Sequence, residues 1–126
     1  VPDPKGETAR TEYQVLGGFG DHALLQVIPR TGRTHQIRAH LSFLGFPIVG
    51  DKIYIDPAVF DRYVREGWQE DMRRIVKAER LLLHATRLEF RHPVTGREIR
   101  IASEIPPCFD EFLNRDRVER RSNARD

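Results

Sequence analysis

The residues best suited to chemistry lie in one short stretch, from Arg30 to His40. It reads Arg-Thr-Gly-Arg-Thr-His-Gln-Ile-Arg-Ala-His and combines arginines, hydroxyls, an amide and imidazoles. No Asp or Glu occurs between His22 and Gly50, so the segment is basic although the 126-residue chain carries a net charge of only +2. Arginines at the free N–H groups of a helix start bind phosphate or carboxylate. The stretch predicts either an anion site, such as one for a phosphate backbone, or a solvated arginine-rich helix face.

Arg38 has the most demanding position in this stretch. Ile37, Leu41 and Leu44 have the spacing of one helix face, which places the neighbouring Arg38 at the boundary of a core. A guanidinium there needs a carboxylate or phosphate partner, or it must extend to water. No acidic residue close in sequence is an obvious partner, so both interpretations stay open.

Other chemistries receive less support from the residue pattern. Asp51 follows Gly50 and could be a nucleophile or general base, but an Asp in a Gly-Asp turn more often caps its own backbone. A hydrolase that uses Asp51 and a histidine is therefore a weak hypothesis. His35 and His40 point roughly 140° apart on a helix and do not suit a shared metal ion. We predict no metal site.

The predicted elements are those of an α+β protein with a mainly antiparallel sheet. Alternation and turn residues predict one hairpin from strands at 11–16 and 23–28 and another from strands at 81–90 and 98–102. A helix is predicted over 34–44, with Thr34 as N-cap and Gly45 as the stop. Further helical segments are predicted from Pro57, over 69–79 and over 109–113.

Composition bounds the class of protein. No apolar run is long enough for a membrane helix, and no signal segment is present. The single cysteine, Cys108, excludes an internal disulfide and favours a cytoplasmic setting. The start at Val1 and a lone methionine at position 72 suggest a piece of a longer protein. We divide the chain into a linker or loop (1–9), a domain segment (10–113) and a charged, flexible tail (114–126).

Three blocks of this sequence together resemble the RluA-type RNA pseudouridine synthases. The first is 31–41, which continues through 44–51 to Tyr54. The second is 82–85, and the third is the opening strand at 11–16. The second block also includes Leu88, Phe90, His92, Pro93, Thr95 and Gly96. The resemblance covers roughly residues 8–113, with the motifs in the family's order.

The resemblance implies an enzyme that isomerises uridine to pseudouridine in ribosomal or transfer RNA, with no cofactor and no metal. The glycosidic N1 bond breaks, the uracil turns, and C5 bonds to the sugar, after the nucleotide is flipped into a pocket. The family's nucleophile is an aspartate in a His-Arg-Leu-Asp segment. That segment does not occur in this sequence, which therefore corresponds to the C-terminal part of a catalytic domain. The chain alone is expected to be inactive.

The family's site residues carry over position by position. Arg38 matches the catalytic arginine that pairs with the nucleophilic aspartate, so its expected partner lies outside this chain. Ile37 and either Leu82 or Leu83, of which we choose Leu83, are assigned to the substrate pocket. Asp51 and Tyr54 match positions taken as structural. The residues predicted to bind RNA are Arg30, Arg33, Thr34, His35, Gln36, His40 and Lys52.

Two further expectations concern partners. The alternative function is a non-catalytic RNA-binding module on the same scaffold, which would bind RNA in a salt-dependent way. Without the N-terminal half of the domain, sheet edges are left uncovered, and these pair readily with other chains. We therefore expect a homodimer, a swapped arrangement or marginal stability for the isolated chain.

Overall fold

A computed structural model describes residues 8–124 of the chain. These residues form two compact units, one ending at Leu81 and one beginning at Leu82, a division that the sequence does not predict. Helices and two antiparallel two-stranded sheets make up the described residues, which confirms the predicted α+β class. Of the predicted linker, residues 1–7 lie outside the described part.

The first unit opens with the predicted hairpin. Strands β1 (Thr11–Phe19) and β2 (His22–Pro29) pair antiparallel, and each is longer than its predicted segment. The register shifts between Val15 and Gly17, where one extra residue is accommodated as a bulge. Tyr13 and Val15 on the same face of β1 are both 57% exposed. The hairpin therefore presents an apolar face that the described residues do not cover.

Helix α1 (Gln36–Phe43) follows the basic loop and ends where glycine predicts. The Gly45 N–H donates to Ser42 O at 3.0 Å and the Phe46 N–H donates to Leu41 O at 2.8 Å. This pair of bonds is a Schellman motif, and Gly45 adopts the positive φ of 89° that it requires. The predicted N-cap is wrong by one residue, because His35 rather than Thr34 occupies this position, without a side-chain cap bond.

The small core of the first unit is built by short helices. Helix α2 (Lys52–Ile55) leads into α3 (Pro57–Glu66), and a 3-10 turn (Glu70–Met72) runs into α4 (Arg73–Val76). Val59, Met72 and Val76 form the buried cluster. The single helix predicted over 69–79 is wrong, because Lys77 adopts a left-handed conformation that ends α4. The chain then continues past the buried Ala78.

The second unit contains the other predicted hairpin and a long helix. Strands β3 (Arg87–Arg91) and β4 (Glu98–Ala102) pair in register, but residues 81–86, predicted as strand, are irregular. Helix α5 (Cys108–Asn123) extends ten residues past its predicted end at 113. Acidic residues in its first turn and arginines in its last favour a long helix electrostatically. Residues 114–123 of the segment that we assign to the charged, flexible tail thus belong to this helix.

None of the helices described between residues 8 and 124 is long and apolar enough to cross a membrane.

Candidate active site around Arg38

Arg38 has a partner within the chain, contrary to the expectation from sequence. Its Nε donates to Asp51 Oδ2 at 2.8 Å and its Nη2 donates to Asp51 Oδ1 at 2.9 Å. The Asp51 side chain is completely buried, whereas 17% of the Arg38 side chain is exposed. The two parallel bonds occupy one edge of the planar guanidinium. Within residues 8–124, no group accepts a hydrogen bond from Nη1.

Asp51 is a structural carboxylate, as the turn-cap interpretation predicts. It is the N-cap of α2, and its Oδ1 accepts hydrogen bonds from the Ile53 and Tyr54 N–H groups at 3.2 and 3.1 Å. Together with Arg38, these groups direct four hydrogen bonds at one buried carboxylate. A carboxylate that is closed to solvent in this way cannot reach a substrate. The arrangement therefore argues against a hydrolase with Asp51 as nucleophile.

The ion pair shifts the pKa values of both partners. Burial by itself raises the pKa of Asp51, but the hydrogen bonds from Arg38 and from the backbone of Tyr54 outweigh it, so the net shift is downward. The hydrogen bonds to Asp51 raise the pKa of Arg38 despite its partial burial. Both groups are therefore charged at neutral pH.

This pair predicts an acid-sensitive contribution to stability. Because the pKa of Asp51 is lower in the folded protein, the unfolded chain takes up the proton first as the pH falls. We expect the free energy of unfolding to decrease below the ordinary Asp pKa of about 3.9. Denaturant unfolding between about pH 5 and about pH 3 measures this loss. The Asp51→Asn variant should show a shallower pH dependence, and equal slopes in the two proteins would contradict the prediction.

The site around Arg38 also contains two aromatic rings, those of Tyr54 and His35. The Arg38 Cζ lies 5.3 Å from the centroid of the Tyr54 ring, within the range of a cation–π contact. The His35 ring meets Tyr54 edge to face, with centroids 5.9 Å apart. His35 itself has a left-handed backbone (φ 53°), an uncommon conformation for a residue other than glycine. This exposed residue therefore contacts Tyr54, the ring that lies against Arg38.

The loop before α1 presents polar side chains at the surface. Arg33, Thr34 and His35 are exposed, as an RNA-facing loop requires. Arg30 is also exposed, but its Nε and Nη2 donate to Glu12 Oε2 at 3.1 and 3.0 Å. An exposed pair of this kind is weak and exchanges readily with another anion.

Gln36 is the centre of a buried polar network rather than a surface residue. Its Oε1 accepts from Thr31 Oγ1 at 2.6 Å and from the Arg33 N–H at 3.1 Å. Its Nε2 donates to Arg10 O and to Thr11 Oγ1, both at 2.9 Å. Only 7% of Gln36 is exposed, so we do not carry it into the RNA surface proposed below.

His40, in the second turn of α1, belongs to the same network. Thr11 Oγ1 lies 2.7 Å from His40 Nδ1, and because this hydroxyl accepts from Gln36 its own proton is available to His40. The network thereby ties α1 to the first residue of β1. His40 is half-buried and is likewise left out of the proposed RNA surface.

Replacing Gln36 by leucine should destabilise the protein by about 2–3 kcal/mol, since the four hydrogen bonds of this buried side chain are lost. Denaturant unfolding gives the value. The matched control is Gln26→Leu, at an exposed position of β2, which should change stability by no more than about 0.5 kcal/mol. Equal effects of the two substitutions would show that the network does not contribute.

The comparisons with known proteins agree with this geometry. A family model described as RNA pseudouridylate synthase matches residues 1–43, which include the loop and all of α1. The ribosomal large subunit pseudouridine synthase C of Buchnera aphidicola is 38% identical over 112 residues, covering 89% of this chain and 33% of the relative. The chain belongs to the RNA pseudouridine synthase family.

Other relatives support the same assignment. The ribosomal large subunit pseudouridine synthase D of Vibrio cholerae is 38% identical over 110 residues, which is 86% of this chain and 33% of that protein. An RNA pseudouridine synthase of Chloroflexus aurantiacus, uncharacterised, is 41% identical over 103 residues, covering 82% of this chain and 28% of its own length. The chain thus spans about a third of the length of the curated relatives that it matches.

The remaining predicted pseudouridine synthase residues lie apart from Arg38. The Lys52 ammonium lies 4.6 Å from the Tyr63 ring centroid and 5.5 Å from that of Trp68, and it also donates to Glu79 O. Lys52 therefore packs over two aromatic residues that border the small core, and we leave it out of the proposed RNA surface. Ile37 and Leu83 are half-buried and belong to different units, and their assignment to a substrate pocket stays a prediction.

No group of three or more potential metal ligands is found among residues 8–124.

Sequence reasoning missed the role of Asp51 towards Arg38. It identified the residue as a cap, but thirteen positions and a turn separate it from the arginine, so no helical or strand periodicity connects the two. The signal available was the resemblance itself, in which both residues belong to one continuous family block.

Proposed function

We propose that residues 1–126 are the C-terminal part of the catalytic domain of an RNA pseudouridine synthase that acts on ribosomal or transfer RNA in the cytoplasm. The observation that carries this proposal is Arg38, a nearly buried guanidinium with one edge bonded and another edge open, at the arginine of the family's motif. Two of the relatives are ribosomal large subunit pseudouridine synthases, which supports ribosomal RNA as the substrate class.

In the proposed mechanism, Arg38 pairs with the catalytic aspartate supplied from outside these residues. An arginine has five N–H donors, and Asp51 uses two of them. The two N–H groups of Nη1 and the second one of Nη2 can bond a further carboxylate. A guanidinium in this position keeps the nucleophile ionised and holds it in place. Ile37, next to Arg38 on α1, is proposed to line the pocket for the flipped uracil.

The RNA surface is proposed to consist of Arg33, Thr34 and His35, with Arg30 at its margin. These side chains are exposed and lie on one loop immediately before α1. The Arg30–Glu12 pair is exposed, so a phosphate can replace the carboxylate at little cost. Contacts of this kind release counterions, and affinity for RNA therefore falls as salt rises.

The test follows the hydrogen at C5 of uridine. Pseudouridine formation bonds C5 to the sugar, and the C5 hydrogen leaves as a proton, so RNA carrying tritium at C5 releases label to water. The chromosomally encoded polypeptide that contains these residues should release tritium, and residues 1–126 alone should not. Release by the isolated chain would show that the aspartate outside it is not needed. No release by the complete polypeptide would overturn the proposed function.

The alternative, a non-catalytic RNA-binding module, predicts a different result. It requires RNA binding with a normal salt dependence but no tritium release from the complete polypeptide. A His-Arg-Leu-Asp segment encoded upstream in the same reading frame would favour the enzyme.

For the isolated chain, we also propose self-association. The sheets described between residues 8 and 124 have two strands each, so every strand has an unpaired edge. The exposed apolar face of β1 adds to this tendency. Light scattering should detect a dimer, and a compact monomer would contradict the expectation.

A further inference from the structure

We propose that Asp51 is the positioning residue for Arg38. It holds the Nε and Nη2 edge of the guanidinium so that the remaining edge is presented to the catalytic carboxylate. This inference rests on the proposed function, since it assigns a role to a residue that does not itself touch the substrate.

The contacts of Arg38 leave the guanidinium little freedom. Asp51 bonds one edge through two parallel hydrogen bonds of 2.8 and 2.9 Å. The Tyr54 ring lies close to the guanidinium, with its centroid 5.3 Å from Arg38 Cζ. A planar group that is bonded along one edge and lies over an aromatic ring can rotate only by breaking these contacts. The direction of the open edge is therefore set before any second carboxylate arrives.

Asp51 is itself held rigidly. Its backbone N–H donates to Ile48 O at 3.0 Å, and the preceding Gly50 N–H donates to Val76 O at 2.7 Å. Its Oδ1 caps two N–H groups of α2. The carboxylate is therefore attached to the buried core through Val76, which is what a supporting residue for a site needs.

Stability alone does not account for this pair. Asp56 caps α3 by accepting from the Ala58 N–H at 3.0 Å, and no arginine bonds it among the described residues. Helix capping thus does not require a guanidinium. A buried ion pair costs desolvation and is often no more stabilising than apolar residues of the same size. Alignment of Arg38 is the property that the Asp51 carboxylate adds.

The test compares two amide substitutions at successive helix caps in the complete polypeptide. Asp51→Asn keeps an oxygen for the α2 cap but turns an NH2 group or an uncharged oxygen towards Arg38. We expect kcat for tritium release to fall about 10- to 100-fold, with KM changed by less than about threefold, because the reacting groups are misaligned. Asp56→Asn should leave both values close to those of the unmodified enzyme. Equal kcat values in the two variants would overturn the proposal.

A double-mutant cycle separates positioning from a general structural effect. If Asp51 acts through Arg38, then Asp51→Asn should lower kcat by less than about threefold once Arg38 is already lysine. Full additivity of the two losses would overturn the proposal. If the Asn variant does not fold, the Asp51→Glu variant is used instead, because glutamate keeps a negative charge opposite Arg38. The longer side chain displaces the guanidinium, so kcat should fall, and a folded Glu variant with unchanged kcat would overturn the proposal.

The experiments can reject the proposed function and the proposed role of Asp51 independently of each other. Absence of tritium release from the unmodified complete polypeptide rejects that function. Normal release from both the unmodified protein and Asp51→Asn rejects only the role of Asp51.

Discussion

Replacing Arg38 by lysine in the complete polypeptide will lower kcat by about 100-fold or more. Lysine keeps the positive charge but has no planar fork, so it cannot bond Asp51 along one edge and a second carboxylate along another. The loss should appear in kcat rather than in KM, because in the proposed mechanism the guanidinium acts on the nucleophile and not on RNA affinity. Tritium release under single-turnover conditions measures the chemical step directly.

The matched control is Arg74→Lys. Arg74 is exposed on α4, in the same unit as Arg38 but away from Asp51, so the same chemical change should leave kcat unaltered. Thermal unfolding of both variants checks that they remain folded. A fully active Arg38→Lys enzyme would mean that Arg38 does not pair with the nucleophile, and the proposed mechanism would be wrong.

Substituting alanine for Gly50 will cost about 3–5 kcal/mol of stability, which is the largest structural effect that we expect. Gly50 has a φ of 84°, and a Cβ built there would lie 2.1 Å from the Arg80 carbonyl oxygen. The Arg80 oxygen and carbon that this Cβ would meet both belong to the backbone, so the clash can be relieved only by moving the loop. That movement would also displace Asp51, the next residue, and with it the partner of Arg38.

Gly45→Ala provides the comparison for this prediction. Gly45 has a similar φ of 89°, but a Cβ there meets nothing within 4 Å. Its substitution should cost only the strain of the left-handed backbone, about 1–2 kcal/mol. Denaturant unfolding of the two variants isolates the contribution of the close approach. Equal losses would show that the loop adjusts freely around residue 50.

Much of the local structure is predictable from neighbouring residues. The first hairpin follows from two alternating runs separated by glycines and Asp21, and the end of α1 follows from Gly45. The capping role of Asp51 is equally local, because the acceptor and the two N–H donors lie within three residues. These features depend on short-range sterics and hydrogen bonds, which residue order encodes directly.

Local patterns failed where distant contacts decide the outcome. The segment 69–79 has the composition of one helix, yet burial of Met72 and Val76 against Val59 is accompanied by a left-handed turn at Lys77. Gln36 reads as a polar surface residue, but it contacts Arg10 and Thr11, more than twenty positions earlier. No periodicity in the sequence reports such contacts.

The sequence by itself determined the family, the α+β class and Arg38 as the residue on which the proposed chemistry depends. It could do so because the family motifs are continuous stretches, legible without knowing how the chain folds. Only the tertiary structure decided that Asp51 meets Arg38, that Gly50 packs against Arg80 and that Gln36 is buried. Each of these depends on where a loop brings residues that are far apart in the chain, and side-chain types alone do not specify that distance.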